Sequence, residues 1–151
     1  MIRQASLDDM PVLLEMMEEF YIEGDFILDH VEADAAFRML LDNPAYGEIW
    51  LSHDDQNVTG YVVLTVTFAM EFGGLVGSID DLYVRPAARR KGFANELLQS
   101  LMIESHDRGL EALHVEVAPD NVAAQTLYAN FGLMKRKDER DHLTVRLKSE
   151  F

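Results

Sequence analysis

Residues 89 to 98 read RRKGFANELL, and they gather Arg89, Arg90 and Lys91 directly before Gly92, Phe93 and Ala94. An apolar pattern at helical spacing follows, with Ala94, Leu97, Leu98 and Leu101 on one face. A helix start carries partial positive charge and ordinarily favours acids. Three cations at that point therefore imply an external anion. Free backbone N–H groups at a helix N-terminus, reached closely across a glycine, are suited to phosphate oxygens. The chemistry expected here is the binding of several phosphate charges. The pattern is neither Gly-x-x-x-x-Gly-Lys-Ser/Thr nor Gly-x-Gly-x-x-Gly, so a P-loop and a dinucleotide fold are disfavoured.

The chain that must position this loop has 151 residues, a length that suits one domain over 1–151. At that size about 70% of the unfolded surface can be buried. There is no cysteine, which excludes disulfides, cysteine-ligated zinc and a thiol nucleophile. A formal net charge of −14 argues against general nucleic-acid binding. The N-terminal MIRQASLDDM lacks a signal-like apolar run, and no stretch approaches the ~20 apolar residues of a membrane span. The expectation is a soluble cytoplasmic protein with no nucleic-acid or membrane partner. Residues 23 to 55 hold nine acids and one base, Arg38, whereas residues 85 to 91 hold four bases and no acid. One segment is placed to face a cation and the other an anion.

Along the chain, Ile2 to Ala5 is a strand candidate, and Ser6 with Asp9 has capping-box spacing. Helical stripes run through Met10, Leu13, Leu14, Met17, Phe20 and Tyr21, then through Ala33, Ala36, Phe37, Leu40 and Leu41. Glu48–His53 and Val58–Met70 form a hairpin around the turn at 54 to 57, with Trp50 in the core. Leu75–Val84 is a further strand and leads into the basic loop and its helix, which ends at Gly109. Leu113, Val115 and Val117 alternate as a strand. Ala124, Leu127, Tyr128 and Phe131 make another helix stripe, with Gly132 as its C-terminal cap. Leu143–Leu147 is a last strand candidate. The order β-α-α-β-β-β-α-β-α-β-β predicts an α/β domain on a mixed sheet.

Two segments together resemble the GNAT superfamily of N-acetyltransferases. "DDLYVRPAARRKGFANELL" is similar to that family's acetyl-coenzyme A signature, with Arg89, Gly92 and Ala94 at its Gln/Arg-x-x-Gly-x-Gly/Ala positions. "NVAAQTLYANFGL" is similar to its Asn-x-x-Ala-x-x-x-Tyr-x-x-x-Gly-Phe helix through Asn121, Ala124, Tyr128 and Gly132, with Leu133 where phenylalanine is commoner. The resemblance implies a mixed, mostly antiparallel sheet with flanking helices and a splayed parallel strand pair. It also implies acetyl-CoA as cosubstrate, and no residue is assigned to a metal. The backbone of Leu82 to Val84, through Tyr83, would meet the pantetheine arm. The N–H groups of Arg90, Lys91, Gly92, Phe93 and Ala94 would hold the pyrophosphate, Asn121 would bond the pantetheine, and Tyr128 would face the thioester sulfur. Many members of the family dimerise, so a homodimer is expected.

Acetyl transfer requires the acceptor as a free amine. For a lysine-like pKa, deprotonation at pH 7 costs about 4.6 kcal/mol. A carboxylate can take that proton, and Asp80, Asp81 and Glu116 are the candidates. Asp80 and Asp81 are strand neighbours, so alternation points only one of them into the cleft. Polyamine acetyltransferases in the family carry an acidic pair at a similar place, which ranks Asp80 first. Tyr128 is then the expected proton donor to the leaving thiolate. The acidic stretch 23 to 55 favours a small cationic amine, such as a polyamine or amino sugar. Two other readings stay open: a protein N-terminal or lysine acceptor, and a noncatalytic acyl-CoA-binding module on the same fold.

Overall fold

The computed structural model describes residues 1–137 and 140–148. The sheet has five strands in the order β1-β2-β3-β4-β5. They are β1 (Ile2–Gln4), β2 (Gly47–His53), β3 (Val58–Ala69), β4 (Gly74–Val84) and β5 (Leu113–His114). Neighbours from β1 to β4 pair antiparallel, and β4 pairs β5 in parallel. The helices are α1 (Met10–Glu23), α2 (His30–Asp42), α3 (Phe93–Asp107) and α4 (Val122–Ala129).

Alternation along the strands divides two cores between the two faces of the sheet. Ile49, Leu51, Tyr61, Val63 and Tyr83 pack against Leu13 and Met16 of α1 and Phe37 of α2. Trp50, Val62, Leu64 and Ile79 pack against Leu97, Leu98 and Leu101 of α3 and Tyr128 of α4. The helical stripes read from the sequence thus face the sheet. The Ser6–Asp9 capping box forms, with the Ser6 N–H donating to Asp9 Oδ2 at 2.8 Å. Arg3 adds a bidentate pair to the same carboxylate at 2.9 and 2.8 Å.

Two sequence expectations change. The fifth strand is only Leu113–His114, not the longer alternating run through Val117. The expected closing strands, including Leu143–Leu147, are absent among the described residues, and Leu143, Val145 and Leu147 are exposed. Exposed side-chain ion pairs connect this part of the chain to the rest of the fold. Arg136 and Arg140 meet Glu71, His142 meets Glu116, and Arg146 meets Glu32 of α2.

Candidate active site

The parallel pair is joined only at Gly77–Leu113 and Ser78–His114. Close approach at that joint favours glycine, because a Cβ on Gly77 would press on the side-chain ends Leu113 Cδ2 and Leu64 Cδ1 at 2.8 Å and make them shift. Beyond the joint the strands diverge and leave a cavity of about 470 Å³. One wall is β4 from Ile79 to Val84, without Asp81. The other wall is Val115 to Ala118, followed by Asn121, Ala124, Leu127 and Tyr128. Its far end is closed by Arg89, Arg90, Gly92, Phe93, Ala94 and Asn95.

The backbone at this closed end is shaped for an anion. Arg90 lies in the left-handed region at φ 65°, and Gly92 caps α3 at φ 88°. A non-glycine residue in that region is strained and needs the surrounding structure to hold it. Successive N–H groups in such a turn form a concave anion nest, continued here by the first N–H groups of α3. No atom lies within 4 Å of a Cβ built on Gly92, so the backbone is open to a ligand. These residues fit the pyrophosphate of coenzyme A.

The side-chain cations contribute less than their sequence suggests. Arg89 is committed to the protein: its Nε donates to the Val84 carbonyl at 2.9 Å, and its Nη2 donates to Glu23 of α1. Its guanidinium also sits 5.7 Å from the centre of the Tyr83 ring. Lys91 is not among the residues that line the cleft. Arg90 remains as the basic side chain that lines this end of the cleft without an ion pair among the described residues, beside the backbone of Gly92 to Ala94.

The carboxylates are arranged by an irregularity in β4. Val63 pairs with Asp81 while Leu64 pairs with Ile79, so Asp80 is an extra residue in the ladder. Such a bulge re-aims side chains. Asp80 alone of the pair lines the donor cleft, as alternation predicts. Both Asp80 and Asp81, however, line a second cavity between α1, α2 and β3, which alternation does not predict. Burial pushes the Asp81 carboxyl up to about 6, the charge of Asp80 adds to the effect, and a hydrogen bond from the Tyr61 hydroxyl at 3.0 Å opposes it. Burial also raises Asp80, although its residue is solvent-exposed at the cleft mouth, and Glu116 contributes by its charge.

Glu116 lines the cleft, but its side chain is 90% exposed and lies 3.5 Å from His142. Water therefore solvates it. Tyr128 is only 8% exposed and lines the cleft, and burial pushes its hydroxyl up to about 12. It is therefore a protonated donor at neutral pH. The Leu133 N–H donates to the Tyr128 carbonyl at 3.0 Å across Gly132, at φ 86°, a helix-ending motif that fixes this turn. Asn121 lines the cleft and spends its oxygen as the N-cap of α4, accepting from the Ala124 N–H at 3.1 Å.

Phe20 and Glu23 of α1 also line the cleft, where the sequence gives only a stripe residue and one acid of the stretch 23 to 55. Phe20 stacks on Tyr83 at 5.4 Å, and its place on the helical stripe gave it the look of ordinary core. The acids from 23 to 55 do not gather where the sequence suggests. Glu23 meets Arg89, Asp34 meets Arg38, Glu48 meets Arg108, and Asp29 accepts from the Glu32 N–H to cap α2. None of them lines the second cavity.

A mixed sheet whose parallel pair splays around a cleft, with an anion nest at the end of that cleft, defines the acyl-CoA N-acyltransferase fold. Residues 11–133 match the acetyltransferase (GNAT) family, and the chain belongs to it. It is an acetyl-CoA-dependent N-acetyltransferase. An integron cassette protein from the mobile metagenome of Cole Harbour Salt Marsh is 39% identical, with a TM-score of 0.86 over 99% of this chain and 91% of that one. A predicted acetyltransferase from Clostridium acetobutylicum, solved with acetyl-CoA, is 18% identical with a TM-score of 0.81 over 95% of each chain. An aminoglycoside 6'-N-acetyltransferase from Acinetobacter haemolyticus is 18% identical with a TM-score of 0.77, covering 98% of this chain and 99% of that one. No curated protein matches. Among the described residues, no helix is long and apolar enough to cross a membrane.

Proposed function

We propose that the enzyme moves the acetyl group of acetyl-CoA onto a small primary amine by direct attack, with Asp80 as the general base and Tyr128 as the general acid. The observation that carries this reading is the position of Asp80, which alone lines both the donor cleft and the second cavity. A group at that junction touches an amine on one side and the reacting centre on the other.

Acetyl-CoA supplies the thioester carbonyl as electrophile. The N–H groups of Arg90 to Ala94 hold its pyrophosphate, the β4 edge at Leu82 to Val84 meets its amides, and the Asn121 amide donates to the arm. Asp80 accepts a proton from the ammonium, and a raised carboxylate pKa brings its basicity closer to neutral pH, where such bases work best. The amine lone pair forms the C–N bond, and the C–S bond breaks. Tyr128 gives its proton to the departing sulfur and recovers one from the nitrogen, which sheds its second proton as the amide forms. Asp81 keeps a second negative charge beside the amine. Glu116 is a solvated acid at the mouth and ranks behind Asp80.

A protein N-terminus or lysine as acceptor is the second reading within the same chemistry, and a noncatalytic acyl-CoA-binding module is the third. The cleft-facing Tyr128 and Asp80 favour catalysis over mere binding. We further read the enzyme as cytoplasmic and homodimeric, with exposed Leu143, Val145 and Leu147 as an apolar surface for a second copy. Thiol release from acetyl-CoA, followed across small amines, diamines and basic peptides, tests the function. Turnover with a small amine that Asp80→Asn abolishes near pH 7 is the expected result. Coenzyme A binding with no turnover on any amine would leave the noncatalytic module.

A further inference from the structure

Behind Asp80 lies the second cavity, of about 250 Å³. Its walls include Met17 of α1, Phe37, Met39 and Leu40 of α2, and Val63 of β3, while its charged groups are Asp80 and Asp81. Phe37 and Val63 are 5% and 4% exposed, and Met39 at the rim is 60% exposed, so the space is apolar within and open to solvent at one side. From these surroundings we infer that the acceptor is a primary monoamine carried on a compact apolar body, aryl or branched alkyl. This rests on the N-acetyltransferase reading of Asp80.

The argument is one of placement. The amine must stand at Asp80, the residue shared by the two cavities. The donor takes the cleft side, so the rest of the acceptor extends into the second cavity. A second cation there would find no carboxylate beyond the pair that already holds the first, because none of the nine acids between 23 and 55 reaches this space. It would instead be stripped of water against Phe37 and Val63, which disfavours the charged form. A polyamine and a polyhydroxylated sugar both fit these walls badly. Size agrees: an apolar cavity of about 150 Å³ takes benzene, so this one has room for a ring and a short alkyl arm. The acidic pair supplies the complementary charge at one end only. An acceptor of one cationic head and one apolar body satisfies both.

The test compares kcat/KM by thiol release for 2-phenylethylamine, a propyl-to-pentyl amine series, ethylamine and spermidine, at fixed acetyl-CoA. We expect 2-phenylethylamine to exceed ethylamine at least tenfold. The alkyl series should rise roughly fourfold per methylene, the gain from burying one CH₂ group. Spermidine should be no better than ethylamine. Met39→Glu, a rim change on an exposed helical position, should remove most of the 2-phenylethylamine advantage and leave the KM for acetyl-CoA unchanged. A flat alkyl series, or spermidine as the best acceptor, would overturn the inference while leaving the transferase intact. If no amine turns over, titration calorimetry of 2-phenylethylamine and spermidine into the coenzyme A-saturated protein still decides. Tighter binding of 2-phenylethylamine, weakened by Met39→Glu, upholds the apolar site. Tighter binding of spermidine, or no binding of either, refutes it.

Discussion

Replacing Asp81 by asparagine should stabilise the folded protein at neutral pH. In the fold the Asp81 carboxyl is pushed up to about 6, against 3.8 for an unperturbed aspartate. The folded state therefore holds this proton more tightly than the unfolded state. Between pH 3.8 and about 6 the folded state binds more protons, so stability falls as pH rises, and the full penalty is present above pH 6. A separation of about 2.2 in pKa at 1.36 kcal/mol per unit comes to about 3 kcal/mol. Asparagine has nearly the same shape, carries no charge, and its Oδ1 can still accept from Tyr61. The variant should thus gain up to about 3 kcal/mol at pH 7.5 and almost nothing at pH 4. For a chain of this size that corresponds to roughly 6–12 °C in Tm if fully realised. Urea unfolding of both proteins at the two pH values measures it, with the slope of the transition checked for constancy. Equal differences at both pH values, or a destabilised variant at pH 7.5, would show that Asp81 carries no buried-charge penalty. The same variant should bind the amine more weakly, since stability sacrificed at a functional site commonly returns as function.

Asp80→Asn should lower kcat most near neutral pH and recover partly at high pH, where free amine forms unaided; a pH–rate profile reads this directly. If Glu116→Gln behaves this way and Asp80→Asn does not, the base has been misassigned. Tyr128→Phe keeps the buried ring and should lower kcat by about 100-fold, the low end for a positioned acid, with a modest change in KM for acetyl-CoA. A lower Tm with normal kinetics would make Tyr128 a packing residue. Gly92→Asp puts a carboxylate into open space beside the anion nest and should weaken coenzyme A binding about 100-fold or more, the worth of one or two charge-assisted hydrogen bonds. Calorimetry gives the affinity, circular dichroism confirms the fold, and an unchanged affinity would remove this loop from the donor site.

The helices, the hairpin and the basic loop were legible because their signals are local. Leu97, Leu98 and Leu101 repeat at helical spacing, and all three are fully buried against the sheet. The donor-side residues shared a motif, and most of them meet in one cleft. What escaped the sequence depends on register and on distant partners. Strand alternation cannot foresee that one extra residue at Asp80 lets two neighbouring acids border the same cavity. A list of charges cannot say that Arg89 is taken by Glu23 across 66 positions of chain. Phe37 and Leu40 looked like core stripe, and Phe37 is core, yet both also wall a cavity. The closing strand expected from the alternation of Leu143, Val145 and Leu147 is absent among the described residues, where all three side chains are exposed, so alternation alone did not supply a strand partner.

The gap between β4 and the chain after His114 has an evolutionary side. Among the described residues, no strand pairs with Ile79 to Val84 on that side. A donor that offers its own amides can complete the ladder there, and the groups that greet it are peptide N–H and C=O. Every residue except proline carries both of these groups. Substitution along this edge therefore leaves much of the donor's reception untouched. The second cavity, read as the acceptor site, is the opposite case, since its shape is written in the side chains of Met17, Phe37, Met39 and Val63. A lineage built this way can change what it acetylates by small steps while continuing to draw on the same acetyl donor.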